Sequence, residues 1–268
     1  MGEKIRHILG LSGGKDSAAL AVFMRDKVPE MEYVFCDTQK ELPETYEYLD
    51  RLQAFLGKPI VRLNADRGFD HYLELYGGYL PSSRMRWCTR KLKIKPFEDY
   101  VGNDLVYSYI GIRADENRDG YISSKPNIKP FYPFKEAGMR EADIYQTLDD
   151  AGLGLPKYYE WRSRSGCYFC FFQRKTEWVG LKEHHPELFA EAMKYEKFDE
   201  SRGVRYTWNQ AESLDELQDP SRIADIKAKH EKTMKAKQAE QKGAKLFQIF
   251  NETLDDEDDT EPCLVCSL

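Results

Sequence analysis

Three groups of residues in this sequence could do chemistry. The first is Ser12-Gly13-Gly14-Lys15-Asp16-Ser17, which directly follows an apolar run. Glycines lack Cβ and let backbone N–H groups come close to an oxyanion. A helix starting there adds its N-terminal N–H groups and dipole, and Lys15 adds a point charge. The hexad is shorter than the G-x-x-x-x-G-K-[ST] phosphate loop and carries an acid between lysine and serine. It reads as an anion cradle of another kind. The second group is six cysteines: Cys36, Cys88, Cys167, Cys170, Cys263 and Cys266. Four of them form two C-x-x-C pairs, "CYFC" and "CLVC". In a reducing compartment such pairs point to metal, cluster or redox chemistry more than to structural disulfides. The third group is polar: Asp37-Thr38, and Arg113-Ala114-Asp115-Glu116.

What must position them is legible as an alternation. "RHILGLS", "MEYVFCDT", "KPIVRLNA" and "DLVYSYIGIRADE" read as strands, and "DSAALAVFMRDK" and "LPETYEYLDRLQAFLG" as helices, the second stopping at Gly57. Strands alternating with helices of these lengths predict an α/β fold, a parallel sheet covered on both faces. Ligands of such sheets bind beyond the carboxyl ends of the strands. That rule gathers the hexad, Asp37 and Arg113 at one crevice. Asp37 could hold Mg²⁺ there, Asp16 being a second candidate; Asp37 could equally cap the next helix. From about Gly120 to Trp161 the chain is rich in Pro, Gly and aromatics, with "EADIYQTLDDAG" as its one clear helix. "KTEWVGLKEHH" and "PELFAEAMKYEKF" read as amphipathic helices, with a turn at His184-His185 closed by Pro186. Residues 211–250 read as a charged helical extension, and the acidic tail from Glu252 as mobile.

The 268 residues suit one large α/β domain with an appendage, or two small domains. No apolar run approaches the roughly 18 residues that cross a membrane, and no signal peptide is read, so the expected location is cytoplasmic. The net charge of −6 comes from residues 252–261, which hold seven acids; without them 40 bases face 39 acids. "RMRWCTRKLKIK", 84–95, has six basic residues and no acid, which suits a polyanionic partner. The basic residues between Arg222 and Lys245 read as a solvated helix face. Cys36, inside a strand, reads as a small buried apolar residue.

The hexad resembles the PP-loop of the ATP pyrophosphatases, which split ATP between its α and β phosphates. "VFCDTQKELPETYEYLDRL", "WCTRKLKIKPF", "GIRADENRD" and "YYEWRSRSGCYFC" resemble, in order, successive segments of the phosphoadenosine/adenosine phosphosulfate reductase family. The resemblance covers roughly residues 5–200. It implies an adenine-nucleotide α-hydrolase fold with a five-stranded parallel sheet at residues 1–165. A C-x-x-C region with a helical extension would then occupy 166–250, and an acidic tail 251–268. By match, Ser12, Gly13, Gly14, Lys15, Asp16 and Ser17 would hold ATP phosphates. Asp37 would hold Mg²⁺ and Arg113 would clamp phosphate, which makes Lys15, Asp16, Asp37 and Arg113 the catalytic candidates.

The cysteines choose between chemistries. Where the family's iron–sulfur branch has adjacent cysteines, this chain has Trp87 and Cys88. The resemblance then implies a 4Fe-4S cluster on Cys88, Cys167 and Cys170 with one open iron, as in tRNA-thiolating enzymes of the superfamily, with Arg86, Arg90 and Lys91 offsetting its charge. Zinc on Cys167, Cys170, Cys263 and Cys266 is the alternative. Tyr168, Phe169, Phe171 and Phe172 would keep the site dry. Sulfonucleotide reductases carry a C-terminal E-C-G-[LI]-H motif with the attacking cysteine, whereas this chain ends "EPCLVCSL". The expectation is a sulfurtransferase that adenylates a DNA phosphate, as in DNA phosphorothioation, or a tRNA base. A cysteine desulfurase would donate the sulfur, and there is room for a homodimer. A sulfite-producing reductase and a zinc-stapled nucleotide sensor are the rival readings.

Overall fold

The computed structural model describes residues 5–117, 123–201, 203–209 and 212–241. Cys263, Cys266 and the acidic tail lie outside the described residues. These divide into two compact units, one of residues 5–77 with 85–167, the other of 78–84 with 168–241.

The first unit is built on β1 (Arg6–Leu11), β2 (Glu32–Asp37), β3 (Ile60–Asn64), β4 (Val106–Tyr109) and β5 (Ile128–Phe131). All pairings are parallel, in the order β3-β2-β1-β4-β5. The chain runs outward from β1 to β3, then returns to β4 on the other side of β1. The carboxyl ends of β1 and β4 therefore flank the point where the order reverses. Side chains alternate along a strand, and the burial follows that period. Leu9, Leu11, Tyr33 and Phe35 join one core with α1 (Lys15–Met24), α2 (Pro43–Leu56) and α7 (Glu141–Asp150). Ala18, Ala19 and Ala21 let α1 lie close on the sheet, while Tyr48, Leu49 and Leu52 fill the α2 side. Each fully buried leucine there contributes about 1.5–3 kcal/mol. Gly57, at φ +64°, closes α2 in the left-handed conformation that glycine favours. On the opposite phase, Cys36 donates its thiol hydrogen to the Lys93 carbonyl at 3.4 Å.

That carbonyl belongs to a helical run in three pieces: α4 (Trp87–Thr89), a π-helical turn over Arg90–Ile94, and α5 (Lys95–Val101). A short α3 (Phe69–Leu75) precedes it. Trp87 is fully buried, stacked on Tyr76 at 5.4 Å between ring centres and packed on Phe69 at 5.0 Å.

Two strands differ from the sequence expectation. The fourth stops at Tyr109 rather than running to Glu116, because the chain leaves the sheet beside the first turn of α1. A Cβ on Gly111 would stand 3.1 Å from the Asp16 carbonyl oxygen. The fifth was hidden in the Pro- and aromatic-rich stretch. It carries Pro130, which lacks an N–H and is tolerated because β5 is an edge strand pairing only with β4. A short α6 (Pro133–Glu136) follows it.

The second unit holds α8 (Lys175–His184), α9 (Pro186–Met193), α10 (Leu214–Leu217) and α11 (Pro220–Gln241). It also holds an antiparallel ribbon, β6 (Lys197–Asp199) with β7 (Val204–Tyr206). The helix expected over 186–198 thus ends at Met193, and its last residues enter the ribbon. Phe169, Trp178, Phe189, Tyr195 and Trp208 form an aromatic core, and Trp208 Nε1 donates to the Ala192 carbonyl at 2.9 Å. Residues 78–84 belong to this unit through Tyr79, which meets Tyr206 edge-on. No described helix is long and apolar enough to cross a membrane.

Candidate functional site

The strands deliver the candidates to the same edge of the sheet. Leu11 faces Phe35, and Leu9 faces Tyr109. Gly13 follows the end of β1, Asp37 ends β2, and Arg113 follows the end of β4, so all three stand at or beyond the carboxyl ends. The glycine loop between β1 and α1 is internally braced. Ser12 N–H donates to Ser17 Oγ at 3.1 Å, and Ser17 Oγ donates to the Gly14 carbonyl at 3.2 Å. Gly13 has φ +75°, and a Cβ there would stand 2.5 Å from Thr45 Cγ2. A Cβ on Gly14 would stand 2.8 Å from Ser165 Oγ. Both positions therefore exclude a side chain, Gly13 on conformation as well as space. Helix α1 begins at Lys15, and its N-cap, Gly14, offers no side chain. The Lys15 N–H is taken by the Tyr159 hydroxyl, and the positive dipole end faces the crevice.

The charges at the crevice form one network. Lys15 Nζ meets Asp16 Oδ2 at 3.1 Å and Glu141 Oε1 at 3.2 Å. Arg113 meets Asp16 at 2.7 Å, Asp115 at 3.0 Å and Glu116 at 3.0 Å. Burial disfavours the Arg113 cation. The hydrogen bond and charge of Asp16 outweigh that, and the guanidinium is held above its ordinary range. Asp115 is pushed up by burial and down by Arg113, with the net shift downward. Lys15, Asp16 and Arg113 are thus brought together, as their types implied. Each cation rests on carboxylates for which a polyphosphate can exchange.

Asp37 stands at the end of β2. Its Oδ1 accepts the Gln39 N–H and the Tyr46 hydroxyl, each at 2.8 Å. It does not cap α2, whose N-cap is Leu42. Instead it holds a turn in which Gln39 takes a left-handed φ of +60°. Asp16 and Asp37 are the two carboxylates at the strand ends suited to Mg²⁺, which takes one or two carboxylates and completes its shell with phosphate and water.

One more segment joins these parts. Tyr158 OH donates to the Gly13 carbonyl at 2.7 Å, and Tyr159 OH accepts the Lys15 N–H at 3.1 Å. Burial holds both phenols well above their ordinary range, so they act as neutral hydroxyls. Ser165 Oγ donates to Ser12 Oγ at 3.1 Å. Buried Arg162 donates to the carbonyls of Gly166 and Cys167, both at 3.0 Å. Residues 158–167 therefore strap the glycine loop and deliver Cys167 to the loop after β2. There its Sγ lies 3.1 Å from Thr38 Oγ1 and 3.7 Å from Glu41 Oε1. The signal available in the sequence was the tyrosine pair and the Ser-Gly before the first C-x-x-C; nothing local marked Glu41, Ser165 or Glu141.

Of the three expected thiolates, Cys88 and Cys167 belong to the first unit and Cys170 to the second. Among the described residues no three His, Cys, Asp or Glu side chains converge as a metal requires. Within the first unit Cys167 faces a hydroxyl and a carboxylate. The zinc alternative relied on Cys263 and Cys266, outside the described residues.

Residues 6–127 match the family model of the phosphoadenosine phosphosulfate reductase domain. The match supports a PAPS reductase-like relation to the PP-loop superfamily over this segment. The chain is 26% identical over 237 residues to an uncharacterised protein of Methanocaldococcus jannaschii, covering 81% of this chain and 55% of that protein. It is 29% identical over 219 residues to the tRNA-specific 2-thiouridylase MnmA of Streptococcus pyogenes serotype M2, covering 68% of this chain and 57% of that enzyme. A crystal structure of phosphoadenylyl-sulfate reductase from Candida auris, in complex with phosphate, aligns at a TM-score of 0.48 and 14% identity, over 60% of this chain and 81% of that one. The chain spans about half the length of the curated relatives it matches first, 55% and 41% of two Methanocaldococcus jannaschii proteins.

Proposed function

We propose that this chain is an ATP pyrophosphatase that adenylates an oxygen of a nucleic acid so that sulfur can replace it. The observation that carries the reading is the strap at 158–167, which ties Cys167 to the same loop that would cradle pyrophosphate. An adenylating site and a thiol on one crevice suit a reaction in two halves. In the first, the acceptor oxygen attacks the α-phosphorus of ATP, the α–β bond breaks, and pyrophosphate leaves. In the second, a sulfur nucleophile at the oxidation level of sulfide attacks the acceptor atom and AMP leaves with the oxygen.

Within this reading the PP-loop N–H groups and Lys15 hold the leaving pyrophosphate, and Arg113 turns from Asp16 to the developing phosphate charge. Mg²⁺, held by Asp37 and Asp16, would neutralise the phosphates. The acceptor is a tRNA base or a DNA phosphate. The thiouridylase relatives weigh toward tRNA, and the basic segment 84–95 suits either polyanion. A cysteine desulfurase is the matching sulfur source, with a thiol reductant bringing its persulfide sulfur to the sulfide level and leaving as a disulfide.

The test is release of pyrophosphate and AMP from ATP by anaerobically purified protein, with total tRNA or duplex DNA present or absent. Release stimulated by one nucleic acid is expected. Orthophosphate and ADP as products, or no turnover with either polymer, removes the reading. A sulfite-producing reductase is the second reading, favoured by the family model itself. Sulfite formed from phosphoadenylyl sulfate and a thiol reductant, without ATP, would put it first.

A further inference from the structure

We infer that Glu141 is a resident competitor for the phosphate site, seated on Lys15 until a polyphosphate displaces it. An ammonium has three hydrogens, and three carboxylate oxygens surround Lys15 Nζ. Asp16 Oδ1 and Oδ2 lie at 3.2 and 3.1 Å, and Glu141 Oε1 at 3.2 Å. A phosphate oxygen can bond to Lys15 only by taking the place of one of them.

The three are not equally replaceable. Asp16 is the neighbouring residue, and Arg113 also holds it at 2.7 Å. Glu141 comes from α7, and its side chain is 49% exposed. Water rehydrates its carboxylate once it leaves, so it leaves at the least cost. Tyr145 stands one turn further along the same face of α7, with its ring centre 5.5 Å from Lys15 Nζ. In the empty site Lys15 is thus turned toward α7.

Helix α7 does not depend on this contact. The Ala114 N–H donates to the Met139 carbonyl at 2.8 Å, and Asp115 accepts the Glu141 N–H, so the main chain ties the start of α7 to the loop of Arg113. Ile144 and Leu148 are fully buried in the core. The main chain therefore delivers the Glu141 carboxylate to Lys15, and removing its charge leaves the helix in place. What changes is the empty site. While Glu141 is seated, Lys15 is withheld from phosphate, and apparent affinity falls with the fraction of molecules in which Lys15 is free. Glu141 acts through Lys15 and is a positioning residue. The inference rests on the phosphate-binding part of the proposed function, and not on sulfur transfer.

The experiment measures binding of inorganic pyrophosphate and of α,β-methylene ATP to the full chain by calorimetry, at fixed ionic strength, with and without Mg²⁺. Glu141→Gln should tighten both about fivefold, the worth of a part-exposed ion pair. Glu141→Asp keeps the charge but falls short of Lys15, and should tighten both as well. In a Lys15→Met background, where nothing is left to compete for, adding Glu141→Gln should change neither. In turnover, Glu141→Gln should lower the KM for ATP about fivefold with kcat within about twofold. If Glu141→Gln does not fold, or Lys15→Met binds too weakly to read, Glu141→Asp decides by the same readings.

Unchanged or weaker binding in Glu141→Gln overturns the inference. Weakening seen only with Mg²⁺ overturns it in favour of a metal-binding carboxylate. Tightening that persists in the Lys15→Met background, or that Glu141→Asp does not share, overturns it too, since that is charge repulsion without a seat on Lys15. Binding by no variant overturns both the inference and the phosphate cradle. The expected changes in binding without pyrophosphate release remove the adenylation reading and leave the inference standing.

Discussion

Two arginines stand at opposite ends of the same sheet, each surrounded by acids, and they do different things. At the amino end, Arg6 grips Glu32 with two nitrogens at 2.9 and 2.7 Å, reaches Asp104 at 3.0 Å, and lies over the Tyr100 ring at 4.8 Å. Glu32 begins β2 and Asp104 precedes β4, so Arg6 fastens the central strand to both neighbours. At the carboxyl end, Arg113 meets three acids one contact at a time, and all of them lie in loops or in the first turn of α1. Hydrogen bonding to acids raises both guanidinium pKa values. A bidentate grip between strands is hard to exchange. Single contacts beside a glycine loop are easy to exchange for phosphate. On the proposed function, the same chemistry serves rigidity at one end and ligand exchange at the other.

Gly13→Ala breaks the carboxyl end most severely. Its φ of +75° and the Thr45 methyl both oppose a Cβ, so the expected cost is about 1–3 kcal/mol of stability together with loss of pyrophosphate release. Urea unfolding and the release assay read the two losses. Full activity in this variant would show that the loop does not hold phosphate as described.

Arg113→Lys keeps the charge and removes the fork. Pyrophosphate release should fall about a hundredfold while the urea midpoint hardly moves. Arg6→Lys should do the reverse, costing about 1–3 kcal/mol with the rate per folded molecule unchanged. A rate loss in Arg6→Lys would erase the division between the two ends.

The smallest effect concerns pH. Burial pushes the Cys36 thiol up to about 11 from its ordinary 9.0. The folded state therefore holds this proton more tightly than the unfolded chain. Its contribution is intact below about pH 9 and is lost as pH rises from there to about 11. Cys36→Ala should flatten that part of a stability–pH curve and change nothing at neutral pH.

Much of the sheet was legible because β1, β2 and β3 are apolar runs ended by polar groups, and the hexad has a chain order that its chemistry requires. The fifth strand was not, since Lys129 and Pro130 interrupt a four-residue edge. The strap was hidden for another reason. Tyr159 meets Lys15 across 144 residues and Tyr158 meets a carbonyl, and neither contact leaves a local pattern. Spacing made Cys167 and Cys170 a pair, and among the described residues no three His, Cys, Asp or Glu side chains converge as a metal requires. The position matched to a cluster cysteine, Trp87, is core packing against three aromatic rings.

The strap has a thermodynamic corollary. Its residues brace the glycine loop at one end and carry Cys167 at the other. On the proposed function, an occupant of the loop that shifts Tyr159 off the Lys15 N–H would also be felt at the sulfur. Linkage makes such an effect mutual. Whatever factor bound nucleotide would apply to an equilibrium at Cys167, that equilibrium would return to the affinity for nucleotide.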